Sequence, residues 1–591
     1  MRPIGLIQFL AIIAVFPGIV HKSWYELPQR KDLSVAESTV IEASEPIAAR
    51  SSRPVIQSSN PGVTPARPRP QINPWVVALT VTLATFMELL DTSIANVSLP
   101  YIAGGLGRSF DEVTWILTTY LVANAVVLPM SAWLSRVFGR KRYYMACVTL
   151  FTLTSLGCGL APSLGILLMS RVLQGIGGGG LAPVEQAILV DTFPAHKRAS
   201  AFALYTVAIV TAPAIGPVLG GWITDNYNWR WVFLINIPIG ALSLFLTNKY
   251  VSDPPAFEAE RKAARSAGGL RIDSVGILLV GLGSATLEIV LDRGQIDDWF
   301  GSPVISWMFA IAVVAWAGAV YWELNHPDPI IELRLLANRN FAIASAFYFI
   351  FGVGLFATTT MIPQILQSLY GYRAIDAGLV LGPGAFVITL LAPVGAQLIQ
   401  RGIVAPKNLL LFSLCVVSGS MFFYSSFTLQ TDYNHYALAR ALQGFGYAFF
   451  FVPISVIAYS QLRPDQNNRA SSLTNLARNW GGSFGIAFVT AVSERRQDLH
   501  QSRTGDTIAA SSGTLQQSVQ TTAHYLAAHG YSQADSMRAA YGYYYNLLGE
   551  QTRLLGFMDC FRAIGILTIA MVPVVFFIHK FKIGGKAPAG H

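Results

Sequence analysis

Two carboxyl groups stand three residues apart in an otherwise apolar run. They belong to Glu88 and Asp91, and residues three apart on an α-helix share one face. Mutual repulsion and burial both favour the neutral, protonated form of such a pair. We therefore interpret Asp91 and Glu88 as candidate proton carriers. The alternative for Asp91 is a hydrogen bond to neighbouring backbone near a helix break.

A basic residue lies near the start of another apolar run. Arg171 is followed there by Gln174 and Gly175. A guanidinium keeps its charge, so it can hold a carboxylate or expel its proton on approach. Arg171 is thus a third candidate for proton coupling. The alternative is that it extends to the membrane interface.

Other ionisable residues inside apolar runs are candidates for a substrate cavity. They are Glu185, Glu288, Arg440 and Arg478. A charge at the centre of a bilayer costs about 2.5–3.5 kcal/mol on insertion scales, so retained charges are usually paired or face a cavity. Asp292 and Asp376 lie near the ends of their runs and are interpreted as helix caps instead.

The elements that carry these residues are predicted to be membrane-spanning helices. Of the 591 residues, 53% are hydrophobic and only 12% are charged, which excludes a soluble globular protein. A helix needs about 20 apolar residues to cross a bilayer. The predicted spans are 75–99, 113–134, 143–161, 166–190, 200–222, 230–249, 274–292, 304–322, 341–368, 375–399, 408–428, 435–459, 470–492 and 556–579.

The basic residues indicate the orientation of these 14 spans. With residue 75 in the cytoplasm, the cytoplasmic loops and tail carry 20 Lys and Arg residues, and the short outer loops carry 4. Cytoplasmic loops are enriched in Lys and Arg, so both ends of the body are predicted inside. The net charge of +9 therefore reports membrane topology and does not indicate nucleic-acid binding.

The chain contains an internal repeat. The stretch 171–175 recurs as 440–444, an offset of 269, and 198–200 recurs as 469–471, an offset of 271. Both copies fall on the same membrane side, so we predict two parallel six-span halves, as in transporters that alternate access.

The predicted organisation has five parts. They are an extension 1–73, an N-terminal half 74–250, a linker with two extra spans 251–340, a C-terminal half 341–580 and a cytoplasmic tail 581–591. The extension has an apolar piece, 4–20, and a Pro- and Ser-rich piece expected to be disordered. The apolar piece is a signal-like segment, a fifteenth span or sequence upstream of the true start. The last two are favoured because no clear cleavage site follows.

A cluster of glycine and proline interrupts the fifth span. Gly216, Pro217, Gly220 and Gly221 remove side chains and a backbone donor, which permits a kink and close helix packing. We interpret the cluster as a conformational element, with a plain packing kink as the alternative.

Together these residues resemble a known family. The first span from Leu90 to Pro100, the stretch 171–175, the fifth-span cluster and the stretch 229–238 are similar to the motifs of 14-span drug:proton antiporters of the major facilitator superfamily. The resemblance implies the major facilitator fold and export of amphipathic toxic compounds driven by the proton motive force. It also implies a gating role for Gly139, Arg140 and Lys141.

Two positions depart from the family pattern. Arg136 stands where the loop between the second and third spans usually has an aspartate, which puts the family's carboxylate latch there in doubt. Ala212 replaces the first glycine of the fifth-span motif, a milder change.

The segment 493–555 is long for an outer loop and is expected to contain helices. Ser532 is predicted to begin one helix and Gly530 to end the one before. The resemblance implies docking of a periplasmic adaptor that leads to an outer-membrane channel. The alternative is a lid over the outer vestibule.

The function expected is therefore a proton-coupled exporter in the inner membrane, with small molecules, protons and lipid as partners and without a metal or cofactor. The runner-up is a proton-coupled importer of the same fold. A membrane sensor or enzyme is disfavoured, because the repeat serves neither and no nucleophile or metal motif is present.

Overall fold

The computed structural model describes residues 73–253, 273–327, 329–463, 466–507 and 513–579. The elements of these ranges are helical, and we number the α-helices in chain order. They are α1 (Pro74–Leu106), α2 (Phe110–Phe138), α3 (Arg140–Leu160), α4 (Leu164–Gly178), α5 (Leu181–Thr192), α6 (Arg198–Asn226), α7 (Trp231–Leu234), α8 (Asn236–Tyr250), α9 (Ser274–Arg293), α10 (Pro303–Asn325), α11 (Arg339–Ser368), α12 (Ala374–Leu379), α13 (Gly382–Gln400), α14 (Pro406–Tyr424), α15 (Tyr433–Ala448), α16 (Phe451–Ala458), α17 (Asn467–Thr507), α18 (Gly513–Ala528), α19 (Gln533–Ala570) and α20 (Val572–Val575). The predicted extension up to residue 72 and the tail from residue 580 lie outside these ranges.

The helices confirm an all-α membrane protein. In the described residues, 13 helices are long and apolar enough to cross a membrane. Each predicted span coincides with one helix or with two consecutive helices. Among the spans formed by two, the fourth is divided between α4 and α5 at Gly179 and Gly180.

The helix α17, which contains the predicted span 470–492, is not among these 13. Its first turns carry Ser471, Ser472, Thr474, Asn475 and Arg478, all buried in the protein. These polar side chains lower the mean hydropathy of α17. They are tolerated in a membrane span because they face other helices and not lipid. At about 1.5 Å per residue, its 41 residues reach about 60 Å.

The two repeated sets of helices meet along a few helices only. The first set is α1–α8 and the second is α11–α20, with α9 and α10 between them in the chain. The helix α6 contacts α12, α13 and α16, while α17 contacts α2 and α5. We call the end with Gly139 and Arg140 the basic end, and the opposite end, with Gly107 and Asn226, the far end.

The segment 493–555 is almost entirely helical where it is described, in agreement with the prediction that it contains helices. The helix α17 runs on to Thr507, and α19 begins at Gln533, 23 residues before the predicted span. Ser532 caps α19 by accepting a hydrogen bond from the Asp535 backbone N–H, at 3.2 Å. Gly530 has φ +99°, a left-handed conformation that ends the preceding helix. The two predicted boundaries are confirmed.

Glycines in α4 allow it to approach α2 and α3 closely. A Cβ at Gly175 would lie 2.4 Å from the Tyr120 carbonyl oxygen on α2. A Cβ at Gly177 would lie 2.8 Å from the Phe151 backbone nitrogen on α3. Close helix packing is therefore the role of this glycine-rich stretch.

We expect Gly175→Ala to destabilise the protein by about 1–3 kcal/mol, because the new methyl group meets backbone that cannot move aside. Thermal unfolding in detergent measures the change in Tm. Gly165→Ala in the same helix is the matched control, since nothing lies within 4 Å of its Cβ position. An equal Tm for the two variants would contradict the packing argument.

Candidate functional site

Asp91 lies at the centre of a buried polar network in the first half. Arg171 Nη1 donates a hydrogen bond to Asp91 Oδ2 at 2.6 Å. Asn236 Nδ2 and Gln174 Nε2 donate to Asp91 Oδ1 at 2.6 and 3.1 Å. The side chains of Asp91 and Arg171 are both 0% exposed. A carboxylate and a guanidinium thus form an ion pair that is closed off from solvent.

Arg171 is held by more than the carboxylate. Its Nε donates to the Ile116 carbonyl oxygen at 3.1 Å, and its Nη1 also donates to Gln174 Oε1 at 2.7 Å. Its guanidinium carbon lies 4.4 Å from the centre of the Tyr120 ring, a cation–π contact. The guanidinium is therefore oriented by α2 as well as by α1.

Four helices supply this network. Asp91 comes from α1, Arg171 and Gln174 from α4, and Asn236 from the first turn of α8. Ser155 on α3 accepts a hydrogen bond from Gln174 Nε2 at 2.8 Å. The helix positions are set by the close packing of α4 on α2 and α3, which brings these side chains into one layer.

The second half repeats this network without the carboxylate. Arg440 Nη1 donates to Gln443 Oε1 at 2.6 Å and to Thr358 Oγ1 at 3.0 Å, and Gln443 Nε2 donates to Thr358 Oγ1 at 2.9 Å. Thr358 follows Asp91 by 267 positions, almost the repeat offset. The same Arg–Gln arrangement therefore exists with a neutral hydroxyl in place of the acid.

Glu88 occupies a neighbouring but separate position. Its Oε1 accepts hydrogen bonds from Tyr120 OH at 3.2 Å and Asn124 Nδ2 at 3.0 Å. Its Oε2 is buried without a hydrogen-bond partner. Tyr120 thus lies between the two sites: its ring lies against Arg171, the partner of Asp91, and its hydroxyl donates a hydrogen bond to Glu88.

Arg478 and Glu185 lie where the halves meet. Arg478 Nη1, from the second half, donates to Tyr205 OH of the first at 2.8 Å. Tyr205 OH in turn donates to Asn475 Oδ1 at 3.2 Å. Glu185 Oε1 accepts from Thr82 Oγ1 at 2.6 Å, and its Oε2 has no partner. The unpaired oxygens of Glu88 and Glu185 leave acceptors free in the buried interior.

The other two cavity candidates lie elsewhere. Arg440 belongs to the copy of the Asp91 network in the second half. Glu288 lies on α9, between the two halves in the chain, and its Oε1 accepts from Ser483 Oγ on α17 at 2.6 Å. The structure does not bring either of them into the Asp91 network.

The basic end is closed by bonds between the halves. Asn475 Nδ2 donates to Gln186 Oε1 at 3.0 Å, and Ser471 Oγ donates to the Pro183 carbonyl oxygen at 2.7 Å. These bonds seal the polar interior at the basic end.

The loop at the basic end contributes an ion pair to this closure. Arg140 forms it with Asp191 at the end of α5. Asp191 Oδ1 also accepts from Asn467 Nδ2 of α17, at 3.0 Å, which joins the two halves. Asp191 therefore supplies a carboxylate near the loop in which Arg136 replaces the usual one. Lys141 points elsewhere, and its Nζ donates to the Asn248 carbonyl oxygen at 2.6 Å.

The fifth-span cluster connects the Asp91 helix to the other half. A Cβ at Gly216 would lie 2.3 Å from Ser93 Oγ, and Ser93 Oγ donates to the Pro213 carbonyl oxygen at 3.1 Å. On its other side α6 contacts α12, where a Cβ at Gly378 would lie 2.8 Å from Pro217. Small residues on both sides let α6 pack tightly between α1 and the second half.

Sequence reasoning identified Asp91, Arg171 and Gln174, but it missed Asn236, Tyr120 and Thr358. Asn236 stands in the sixth-span stretch that carried the family resemblance. Projecting the repeat offset of 269 onto Asp91 gives Thr360, two positions from Thr358, so it indicates the right stretch of α11 but not the residue.

Two duplicated helical halves, closed at one end around a buried ion pair, define a membrane transporter. The sequence profile of the Major Facilitator Superfamily matches residues 81–486, and the chain belongs to that superfamily.

Similar proteins agree with this assignment. The chain is 35% identical over 435 residues to the multidrug export protein EmrB of Escherichia coli, covering 73% of this chain and 83% of the relative. It is 34% identical over 505 residues to the fatty acid resistance protein FarB of Neisseria gonorrhoeae, covering 85% of this chain and 95% of the relative. A crystal structure of a double-Trp mutant of XylE superposes with a TM-score of 0.55 at 13% identity, covering 86% of this chain and 97% of that one, which shows the fold.

We expect Asp91→Thr to fold and to lose proton-coupled transport. The substitution reproduces in the first half the neutral arrangement that Thr358 forms in the second, so Arg171 and Gln174 keep an acceptor. Membrane abundance and Tm in detergent should stay near wild type, while substrate transport driven by a pH gradient should fall at least about tenfold.

The matched control is Thr358→Ser, which keeps the hydroxyl and should transport normally. Wild-type transport by Asp91→Thr would show that the carboxylate is not required.

Proposed function

We propose that this protein exports amphipathic small molecules in exchange for protons, and that Asp91 carries the proton. The observation that supports this is the buried ion pair of Asp91 and Arg171, whose copy in the second half has the Thr358 hydroxyl in place of the carboxylate. A carboxylate kept in only one copy of a duplicated network is not needed to hold the network together. We therefore assign the Asp91 carboxylate a chemical role, which is to carry the proton. The energy source is the proton gradient, and the proposal includes no cofactor.

The proton acts by competing with Arg171 for the carboxylate. The guanidinium stays charged at any working pH, so only the carboxylate changes state. Protonation of Asp91 removes its attraction for Arg171, and the neutral acid is then held by Asn236 and Gln174. Return of the guanidinium favours release of the proton. Arg171 thereby links proton occupancy to the distance between α1 and α4.

This local change can reach the interface between the halves through α6. Ser93, two residues after Asp91, contacts Gly216 and bonds to the Pro213 carbonyl oxygen. A shift of α1 must therefore move α6, which packs on α12 and α13 of the second half. This contact is the route by which we propose that protonation alters the closure of the basic end.

An amphipathic substrate suits the interior between the halves. Arg478, Glu88 and Glu185 offer polar groups of both charges. Beside them, the Tyr205 ring lies 5.6 Å from that of Phe451, and Phe451 lies 5.3 Å from Phe351. The relatives named for multidrug export and fatty acid resistance support compounds with an apolar body and a polar group.

We infer the direction of transport and the location of the protein from the distribution of basic residues in the loops. We place the basic end and both ends of the 14-span body in the cytoplasm, and the protein in the inner membrane. The state described here, closed at the basic end, then faces outward. An importer would have to bind its substrate in this same state and carry it inward.

We expect inverted membrane vesicles to distinguish these functions. Addition of an exported compound to acidified vesicles should dissipate the pH gradient, because protons leave as the compound enters. Arg171→Ala should reduce this response at least about tenfold, since nothing then displaces the proton, while Arg171→Lys should be intermediate.

A fluorescent pH indicator inside the vesicles follows the response, and Arg373→Ala, at an exposed position, is the control. A proton flux in the same direction as the compound would indicate the importer instead.

The helices beyond the far end offer a surface for a partner. The helix α18 packs on α19 through Val519, Ala523 and Ala540, and Tyr544 lies against this small core. Tyr525, Tyr541 and Tyr545 are largely exposed on the same helices. Exposed aromatic side chains are enriched in protein interfaces. We propose that this surface docks a periplasmic adaptor that leads to an outer-membrane channel.

We expect replacement of these three exposed tyrosines by serine to weaken co-purification of the adaptor several-fold and to leave transport in inverted vesicles unchanged. Serine keeps a hydroxyl but removes the ring area on which docking depends. Tyr321→Ser, at an exposed position on α10, is the matched control. Unchanged co-purification of the triple variant would favour a lid over docking.

A further inference from the structure

The linking helix α9 is firmly attached to the first half. Asp292 accepts a hydrogen bond from Thr118 of α2. Arg293 Nη1 donates to Thr114 Oγ1 at 2.9 Å, and its guanidinium carbon lies 4.9 Å from the centre of the Trp115 ring. Apolar packing against α2 continues toward the basic end. The helix α9 should therefore move together with α2.

The attachment of α9 to the second half is smaller and centres on Glu288. This side chain is 3% exposed, and its Oε1 accepts from Ser483 Oγ of α17 at 2.6 Å. Beyond the end of α9, Gln295 donates to Glu494. Glu288 thus joins α9, which is attached to the first half, to α17, which closes the basic end.

The same two helices, α2 and α17, touch directly at the basic end. Ser472 Oγ donates to the Leu128 and Pro129 carbonyl oxygens at 2.9 and 3.0 Å. Opening of the basic end must separate α17 from α2. Because α9 stays with α2, this separation also displaces Ser483 from Glu288.

We propose that the Glu288–Ser483 hydrogen bond is a latch that stabilises the state closed at the basic end. Glu288 is then a positioning residue that sets the balance between the two states, distinct from the site of proton coupling. A contact made in only one state shifts the equilibrium toward that state. The inference does not depend on which compound is exported or on where the proton binds.

A disulfide across the basic end reports the closed state. Ser131 Oγ and Ser472 Oγ lie 3.5 Å apart, close enough for a cross-link between cysteines at these positions. The substitutions Ser131→Cys and Ser472→Cys are introduced into a protein that also carries Cys415→Ser. Cys415 is replaced because it is exposed, whereas the other three cysteines are buried. The rate of oxidative cross-linking is measured in purified protein without substrate.

We expect Glu288→Ala and Ser483→Ala each to slow cross-linking about fivefold, the effect of losing one hydrogen bond. The double variant should be no slower than either single variant, because both remove the same contact. Glu288→Gln keeps an accepting oxygen and should restore the wild-type rate. Rescue by Glu288→Gln would show that the slowing comes from loss of the hydrogen bond and not from general damage to the fold.

The matched control is Glu323→Ala on α10. Glu323 is buried to a similar degree, but its hydrogen bond comes from the Ile331 backbone N–H within the linking region, at 3.3 Å. Its loss should leave the rate unchanged. Wild-type cross-linking by the Glu288→Ala protein would overturn the latch. So would equal slowing by Glu323→Ala or by Glu288→Gln.

Discussion

The buried guanidinium of Arg171 is the constraint on which the rest of this structure depends. A charge removed from water needs partners within the protein, and Asp91 is its charged partner. Asn236 and the Tyr120 ring support the pair from two other helices, α8 and α2, and Gln174 supports it from α4 itself. The requirement for these partners determines how closely α1, α2, α4 and α8 must approach. The glycines of α4 make that approach sterically feasible.

The duplicated architecture allows the ion pair to be compared with a network that lacks the carboxylate. Arg440 and Gln443 reproduce the network around Thr358, so the protein itself contains the variant without a carboxylate. In the proposed mechanism the two halves therefore share a scaffold, while only the first half responds to protons. The latch at Glu288 adds a second asymmetry, since it joins α9 to α17 with no counterpart among the contacts described above.

Much of the fold and part of the candidate site were predictable from the sequence, for physical reasons. Apolar run length and the repeat predicted the helical body, and membrane charges are rare enough that Asp91 and Arg171 stood out. The partnership with Asn236 is different, because 145 residues separate it from Asp91 and only tertiary packing joins them. The continuity of α17 and α19 with the polar helices beyond their spans was not predicted, since polar helices beyond the bilayer lack an apolar run. The contact of Glu288 with Ser483 was not predicted, because depth in a span does not reveal which neighbour a side chain faces.

Proton release on substrate binding is the measurement that tests the central claim most directly. Purified protein in weakly buffered detergent solution is mixed with an exported compound. A soluble pH indicator records the change. The account predicts release of about one proton per compound bound by the wild type, and none by Asp91→Asn with compound binding retained. Equal release from both proteins would contradict it, because the proton would then come from another group.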